Sequence, residues 1–239
     1  MLKIAVDWAV KKNLAITEDG EKIEEIPATR ESFEKYLAKL NPNACFYLEE
    51  GGGDVFKLLA NKNNFKVFTI AGKKTKEYRE SSLGIEKTDE NDVKIIYMMA
   101  NNQAEQFREF GEKDILTSKV SIAFKNRGDA EKNLVRAKNR LFALKNQMDL
   151  LNISEKDREK IIKNKEEIIE KLIKDFQFET KALNKLVTKH PVWINYLQYE
   201  KGVGTAVAGA IISQIKDASR FDNKYSLRHY AGMIAKKGN

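Results

Sequence analysis

The sequence predicts an α/β domain, then a long antiparallel helical hairpin, then a small all-helical end. Three observations carry that reading. Short apolar runs alternate with amphipathic stretches over residues 1–112; proline-free, charge-rich segments with apolar residues every three or four positions fill 113–190; two helical stretches flank a Gly-x-Gly turn in 191–239.

Taken in order, Leu2 to Ala9 reads as a buried strand, Asn13 to Thr17 as a second, and Glu21 to Ile26 as a third with alternating polarity. Asp19-Gly20 supplies the turn before the third. Thr29 offers a helix N-cap, and Phe33, Tyr36, Leu37 and Leu40 recur at helical spacing up to the break at Asn41-Pro42-Asn43. Cys45 to Glu49 is the next strand. Gly51-Gly52-Gly53 makes a tight turn, a helix follows on Val55, Leu58 and Leu59, and Phe65 to Ile70 is one more strand. The triple glycine matches neither the dinucleotide fingerprint nor the Walker pattern. A hairpin sheet continued by β-α-β units, covered on both faces, fits a ribonuclease H-like fold. The basic run Lys73, Lys74, Lys76 and Arg79, with Tyr78 interleaved, reads either as a mobile strand-contacting segment or as a solvated loop. Lys87 to Ala100 then forms a helix with Val93, Ile96, Tyr97 and Ala100 turned to the sheet.

From about Ile115 to Leu150, and from Ser154 to Val187, the chain is helical and charged. The spacings Leu134, Ala137, Leu141, Leu144, Met148, Leu151 and Ile161, Ile162, Ile168, Ile169, Leu172, Ile173, Phe176 predict an antiparallel coiled-coil hairpin turning near Asn152-Ile153-Ser154. Ser154 with Asp157 forms a capping pair for the second helix. After His190-Pro191, Gly202-Val203-Gly204-Thr205 leads into an apolar helix, Val207 to Ile215. A glycine turn before a helix N-terminus suits a backbone phosphate, as in helix-hairpin-helix modules, and equally a plain interhelical turn. Arg220, Lys224 and Arg228 follow and favour DNA.

The net charge of +8 is unevenly spread: −3 over residues 1–112, +7 over 113–190 and +4 over 191–239. An acidic part that holds metal and basic parts that meet phosphate backbone would need this division; solvated lysine-rich helices would also give it. No apolar run approaches the roughly 20 residues of a membrane span, and no secretion signal is present, so a cytoplasmic protein is expected. Cys45, the single cysteine, excludes an internal disulfide.

Four acids stand out. Asp7 and Glu49 each end an apolar strand, and Asp89 and Asp92 lie three residues apart at a helix start. Carboxylates from distant segments that meet in one pocket suit divalent-metal catalysis on phosphodiesters, with Mg²⁺ or Mn²⁺ as the ion. No histidine is required, and His190 and His229 are far from the acids in sequence.

The fragments Ala5-Val6-Asp7, Leu48-Glu49-Glu50-Gly51-Gly52-Gly53 and Lys87-Thr88-Asp89-Glu90-Asn91-Asp92 resemble the three signatures of the DEDD transposases. That insertion-sequence family shares ancestry with Holliday-junction resolvases and includes pilin-gene invertases. Gly202-Val203-Gly204, Arg220-Phe221 and Tyr230-Ala231-Gly232-Met233 resemble its C-terminal domain. The resemblance spans nearly the whole chain. It implies a RuvC-like domain over 1–112 with Asp7, Glu49, Asp89 and Asp92 as metal-binding tetrad, a coiled-coil arm over 113–190, and part of a helical transposase domain over 191–239. It further implies action on DNA at insertion ends, a homodimer or tetramer assembled through the coiled coil, and in many members a structured guide RNA.

Two departures modify the expectation. Glu50 and Gly51 stand where relatives carry a small residue and threonine, which puts an extra acid beside the site. The family's nucleophilic serine lies beyond the Tyr-Ala-Gly segment; Ser213, Ser219 and Ser226 precede it, and none is assigned that role. The chain is therefore expected to bind Mg²⁺ and DNA without completing strand exchange. A non-catalytic nucleic-acid-binding scaffold and a resolvase-like nuclease are the alternatives.

Overall fold

The computed structural model describes residues 2–8, 13–82, 86–151, 153–218, 221 and 223–231. The chain divides into two compact units, residues 1–115 with 219–239, and residues 116–218.

Among the described residues the first unit holds six strands, β1 (Lys3–Trp8), β2 (Asn13–Thr17), β3 (Ile23–Pro27), β4 (Cys45–Glu49), β5 (Lys66–Ile70) and β6 (Arg108–Glu109), in one sheet of order β3-β2-β1-β4-β5-β6. β1 runs antiparallel to β2 and parallel to β4, β4 runs parallel to β5, and β6 adds an antiparallel edge. Ala9, expected to end β1, lies outside the described residues. Its helices are α1 (Arg30–Leu37), α2 (Asp54–Lys62), α3 (Gly72–Ser82) and α4 (Asp89–Asn102).

Side chains on a strand alternate between faces, and here the alternation sorts the core into two layers. Ile4 and Val6 of β1 join Phe46 and Leu48 of β4 beneath α1 and α2. Ala5 joins Cys45 and Tyr47 against α4, whose Val93, Ile96 and Met99 are buried. Edge-on ring contacts run through the first layer, from Trp8 to Phe33 at 6.1 Å between centroids, Phe33 to Phe56 at 5.4 Å, and Phe56 to Phe46 at 5.0 Å.

Helix starts follow local chemistry. Thr29 caps α1 by accepting from the Ser32 amide, and Thr88 caps α4 by accepting from the Asn91 amide. α2 is rotated from its expected phase: Gly53 adopts φ +68°, the helix begins at Asp54, and Phe56, Leu59 and Ala60 face the core while Val55 is 40% exposed. The basic run after β5 is helical, as α3, rather than a solvated loop. Thr75 is fully buried and Tyr78 packs against the α4 layer, whereas Lys73, Lys74 and Lys76 face water.

The second unit is helical. α5 (Glu112–Leu150) extends through its first part, followed by α6 (Glu155–Val187), α7 (Pro191–Asn195) and α8 (Thr205–Ile215). α5 and α6 run in opposite directions. Lys145 Nζ lies 3.3 Å from Glu166 Oε1, and the Arg127 guanidinium sits 4.9 Å over the Phe176 ring. Ser154 accepts from the Asp157 amide as the capping pair requires, while Leu151 is 70% exposed in the turn instead of extending the apolar seam. Asn152 lies outside the described residues.

Val120, Ala123, Leu183, Val187, Ala208 and Ile212 form one buried cluster. Gly209 of α8 belongs there because a Cβ would come within 3.1 Å of Leu183. His190, fully buried, caps α7: its Nδ1 accepts from the Val192 amide, which leaves the proton on Nε2 to donate to Thr117 Oγ1 at 3.0 Å. α9 (Lys224–Tyr230), which belongs to the first unit, is capped by Asn223, whose Oδ1 accepts from the Tyr225 and Ser226 amides. No helix among the described residues is long and apolar enough to cross a membrane.

Candidate active site

The pairing of β1 with β4 places Val6 beside Leu48, so Asp7 and Glu49 are the next residues on two parallel neighbours. Both follow the parity of Ala5 and Tyr47 and project toward the α4 layer. Carboxyl ends of parallel strands are where α/β sheets leave an open crevice. α4 starts above that crevice, and its first turn carries Asp89, Glu90 and Asp92. Negative charge at a helix N-terminus is stabilised by the helix dipole, which offsets part of the cost of gathering acids there.

All four acids singled out by the sequence, Asp7, Glu49, Asp89 and Asp92, line one cavity of about 250 Å³, together with Trp8, Gly51, Gly52 and Lys87. Asp7 is pushed up to about 7, first by burial and then by the charges of Asp92, Glu49 and Asp89. Burial also raises Asp92; the Arg79 guanidinium opposes that, while Glu49 and Asp89 add to it. The acids therefore act on one another electrostatically. Even so, among the described residues no three acid, histidine or cysteine side chains are gathered closely enough to hold a metal as they stand.

Protein partners account for part of that spread. Arg79 Nη2 lies 2.9 Å from Asp92 Oδ1. The one proton of the Thr75 hydroxyl faces two acceptors, Glu49 Oε1 and the Gly72 carbonyl oxygen, the latter at 2.9 Å. Beneath the site, Lys57, 1% exposed, donates from Nζ to the carbonyl oxygens of Glu49 at 2.9 Å and Glu50 at 3.4 Å, which fixes the end of β4. Trp8 fills the space under the glycine turn; a Cβ on Gly52 would lie 3.1 Å from its ring. Within the triple glycine Gly52 is thus packed tightly on Trp8 while Gly51 stands open, and these two wall the cavity.

Glu50, the extra acid expected beside the site, does not line that cavity. Arg108 Nε donates to Glu50 Oε1 at 2.9 Å and Arg108 Nη1 to Asp114 Oδ2 at 2.8 Å. A buried ammonium, a threonine hydroxyl and this arginine bridge were all missed by sequence reasoning, since each is a polar residue in an otherwise ordinary stretch.

The donor set fits a hard divalent cation. It consists of carboxylate oxygens only, and their mutual repulsion is what a bound cation relieves.

The basic candidates fall in different places. Lys73 and Lys76 sit 3.9 and 3.7 Å from Glu77 and Glu80, exposed pairs that nearly cancel on the outer face of α3. Arg79 is turned inward, contrary to its expected place on a strand-contacting face, because α3 is a helix and residue 79 shares the side of Thr75. In the second unit Gly202 adopts φ +86°, and neither it nor Gly204 has an atom within 4 Å of where a Cβ would be. The Thr205 hydroxyl donates to Asn184 Oδ1 at 2.5 Å and ties α8 to α6. Lys224 and Arg228 are exposed on α9. Arg220, Gly232 and Met233 lie outside the described residues.

Comparison with curated proteins finds no match. A family model described as a transposase, the IS110-type DEDD transposase domain, matches residues 4–149, a span that holds all four acids. Since that match covers more than half of the 239 residues, the chain belongs to the DEDD transposase family of insertion sequences.

Proposed function

We propose that this transposase carries out divalent-metal-dependent phosphodiester chemistry on DNA at Asp7, Glu49, Asp89 and Asp92. One observation carries the proposal: acids from three separate segments line a single cavity at the carboxyl ends of β1 and β4 and the N-terminus of α4. Mg²⁺ or Mn²⁺ bound there would activate the attacking oxygen and stabilise the leaving one. Lys57 and Thr75 hold Glu49, the first through its backbone and the second through its carboxylate. Trp8 closes the cavity floor, and Lys87 brings a positive charge to a wall where a phosphate would enter.

The remaining parts of the reading follow from the same assignment. The sheet order and the parallel β1, β4 and β5 agree with a ribonuclease H-like, RuvC-like domain over 1–112. The opposed α5 and α6 agree with a coiled-coil arm over 113–190 through which a homodimer or tetramer forms. In the second unit the open glycine turn before α8 would hold a DNA phosphate; in the first, Lys224 and Arg228 of α9 would each meet phosphate by themselves; and a structured guide RNA would select the target.

The test is cleavage or joining of insertion-end DNA with Mg²⁺ by the whole chain and by Asp89→Ala, with DNA binding measured alongside. Loss of chemistry in the variant with binding retained supports the proposal. A parent chain that binds DNA but performs no chemistry with either metal favours the scaffold reading and overturns this one.

A further inference from the structure

α3 meets two of the acids that line the cavity, Glu49 and Asp92, through three contacts. Gly72 leaves the room that Glu49 occupies, since a Cβ there would lie 3.1 Å from Glu49 Oε2. Thr75 bonds Glu49 through its hydroxyl. Arg79 pairs with Asp92 at 2.9 Å, with the two side chains only 11% and 12% exposed. Charges so far from water are weakly screened, and the guanidinium opposes the burial that raises Asp92. Asp92 Oδ1 engaged by this cation cannot serve another in the same orientation.

The rest of α3 gives the helix little independent hold. Its outer face carries Lys73–Glu77 and Lys76–Glu80, and Tyr78 is the one residue it contributes to the apolar layers described. An element held mainly by polar contacts opens more easily than its neighbours.

We propose that α3 is a latch in which Arg79 serves as the resident counter-cation of Asp92 from behind the cavity wall, holding it until a divalent cation displaces it. Metal loading and loosening of α3 are then one coupled event. This rests on the four-acid reading above. It differs from a plain anchoring role, in which the ion pair would simply fix α3 to α4 and its loss would leave metal affinity unchanged or weaker.

The experiment titrates Mg²⁺ and Mn²⁺ by calorimetry into the whole chain without DNA, for wild type, Arg79→Gln and Arg79→Lys. Hydrogen exchange is measured on wild type with and without saturating Mg²⁺. Arg79→Gln should lower the metal-free melting temperature and tighten Mg²⁺ binding about tenfold, the effect of removing one weakly screened charge. Arg79→Lys should stay near wild type. In the unsubstituted protein, Mg²⁺ should reduce protection of the α3 amides, a readout that stands even where Arg79→Gln fails to fold. Unchanged or weaker metal binding by Arg79→Gln, or α3 amides that keep or gain protection with Mg²⁺, overturns the latch alone. A wild-type chain that binds neither metal removes the four-acid reading and the latch with it.

Discussion

Replacing Asp7 with Asn should stabilise the metal-free protein, which is the reverse of what most substitutions at a core strand end do. Burial and three neighbouring carboxylates raise Asp7 from 3.8 to about 7. That displacement corresponds to a ceiling of about 4 kcal/mol. Because the group is only partly buried, water reduces the realised cost to about 1–3 kcal/mol. The sign follows from proton binding. The folded chain holds this proton more tightly than the unfolded chain, so the contribution is fully present below about pH 4 and is lost as pH rises to about 7. Asn carries no charge at any pH. The variant should therefore exceed wild type by about 1–3 kcal/mol at about pH 8 in EDTA, and match it near pH 4. Urea unfolding across that range reads the difference directly. Saturating Mg²⁺ should raise the stability of wild type at about pH 8 and raise that of Asp7→Asn much less, because the proposed function makes Asp7 a ligand. An Asn variant no more stable than wild type at about pH 8 in EDTA would refute the account of repelling acids.

Four further outcomes are expected. Lys57→Met keeps the volume but leaves the Glu49 and Glu50 carbonyls without their ammonium donor, so unfolding free energy should fall by about 1–3 kcal/mol in chemical denaturation. Gly52→Ala sets a Cβ against Trp8 and should cost about 1–3 kcal/mol, with the change visible in tryptophan fluorescence. Glu50→Gln should leave the Mg²⁺ dissociation constant within about twofold, since Glu50 is held by Arg108, whereas Glu49→Gln should weaken binding more than tenfold in the same calorimeter. Leu183→Ala empties a fully buried site against Gly209 and should lower stability by about 2–5 kcal/mol, read as a shift in the denaturant midpoint of α6 and α8.

Much of the fold was legible because its signals are periodic. β2 and β4 were found at their observed limits, and Thr29 and Ser154 announced their helices through the spacing their hydroxyls need. The four acids were legible for another reason: Asp7 and Glu49 stand where apolar strands stop and Asp89 and Asp92 where a helix starts, and strand parity then sends Asp7 and Glu49 to the layer on which α4 begins. α3 escaped because its inward face is Thr75 and Arg79, residues that read as solvent-facing until the acids they meet are in place. The phase of α2 escaped because Gly53 leaves the preceding turn in a left-handed conformation that shifts the helix start, and no hydrophobic count reveals that. Lys57 gave no signal at all. A lysine between two apolar residues is ordinary until strand β4 delivers two carbonyl oxygens to it.

The interleaving of Val6 with Asp7 links the sheet's accuracy to that of its charged rim. A slip of one position along β1 would drive the carboxylate among Phe33 and Phe56 while putting a valine in its place on the acid-bearing side, two penalties incurred together. Misthreaded copies are thus disfavoured by the greasy layers themselves, and whichever molecules complete the β1–β4 ladder carry their negative pair facing the proper side. Proofreading of the reactive end comes free with folding.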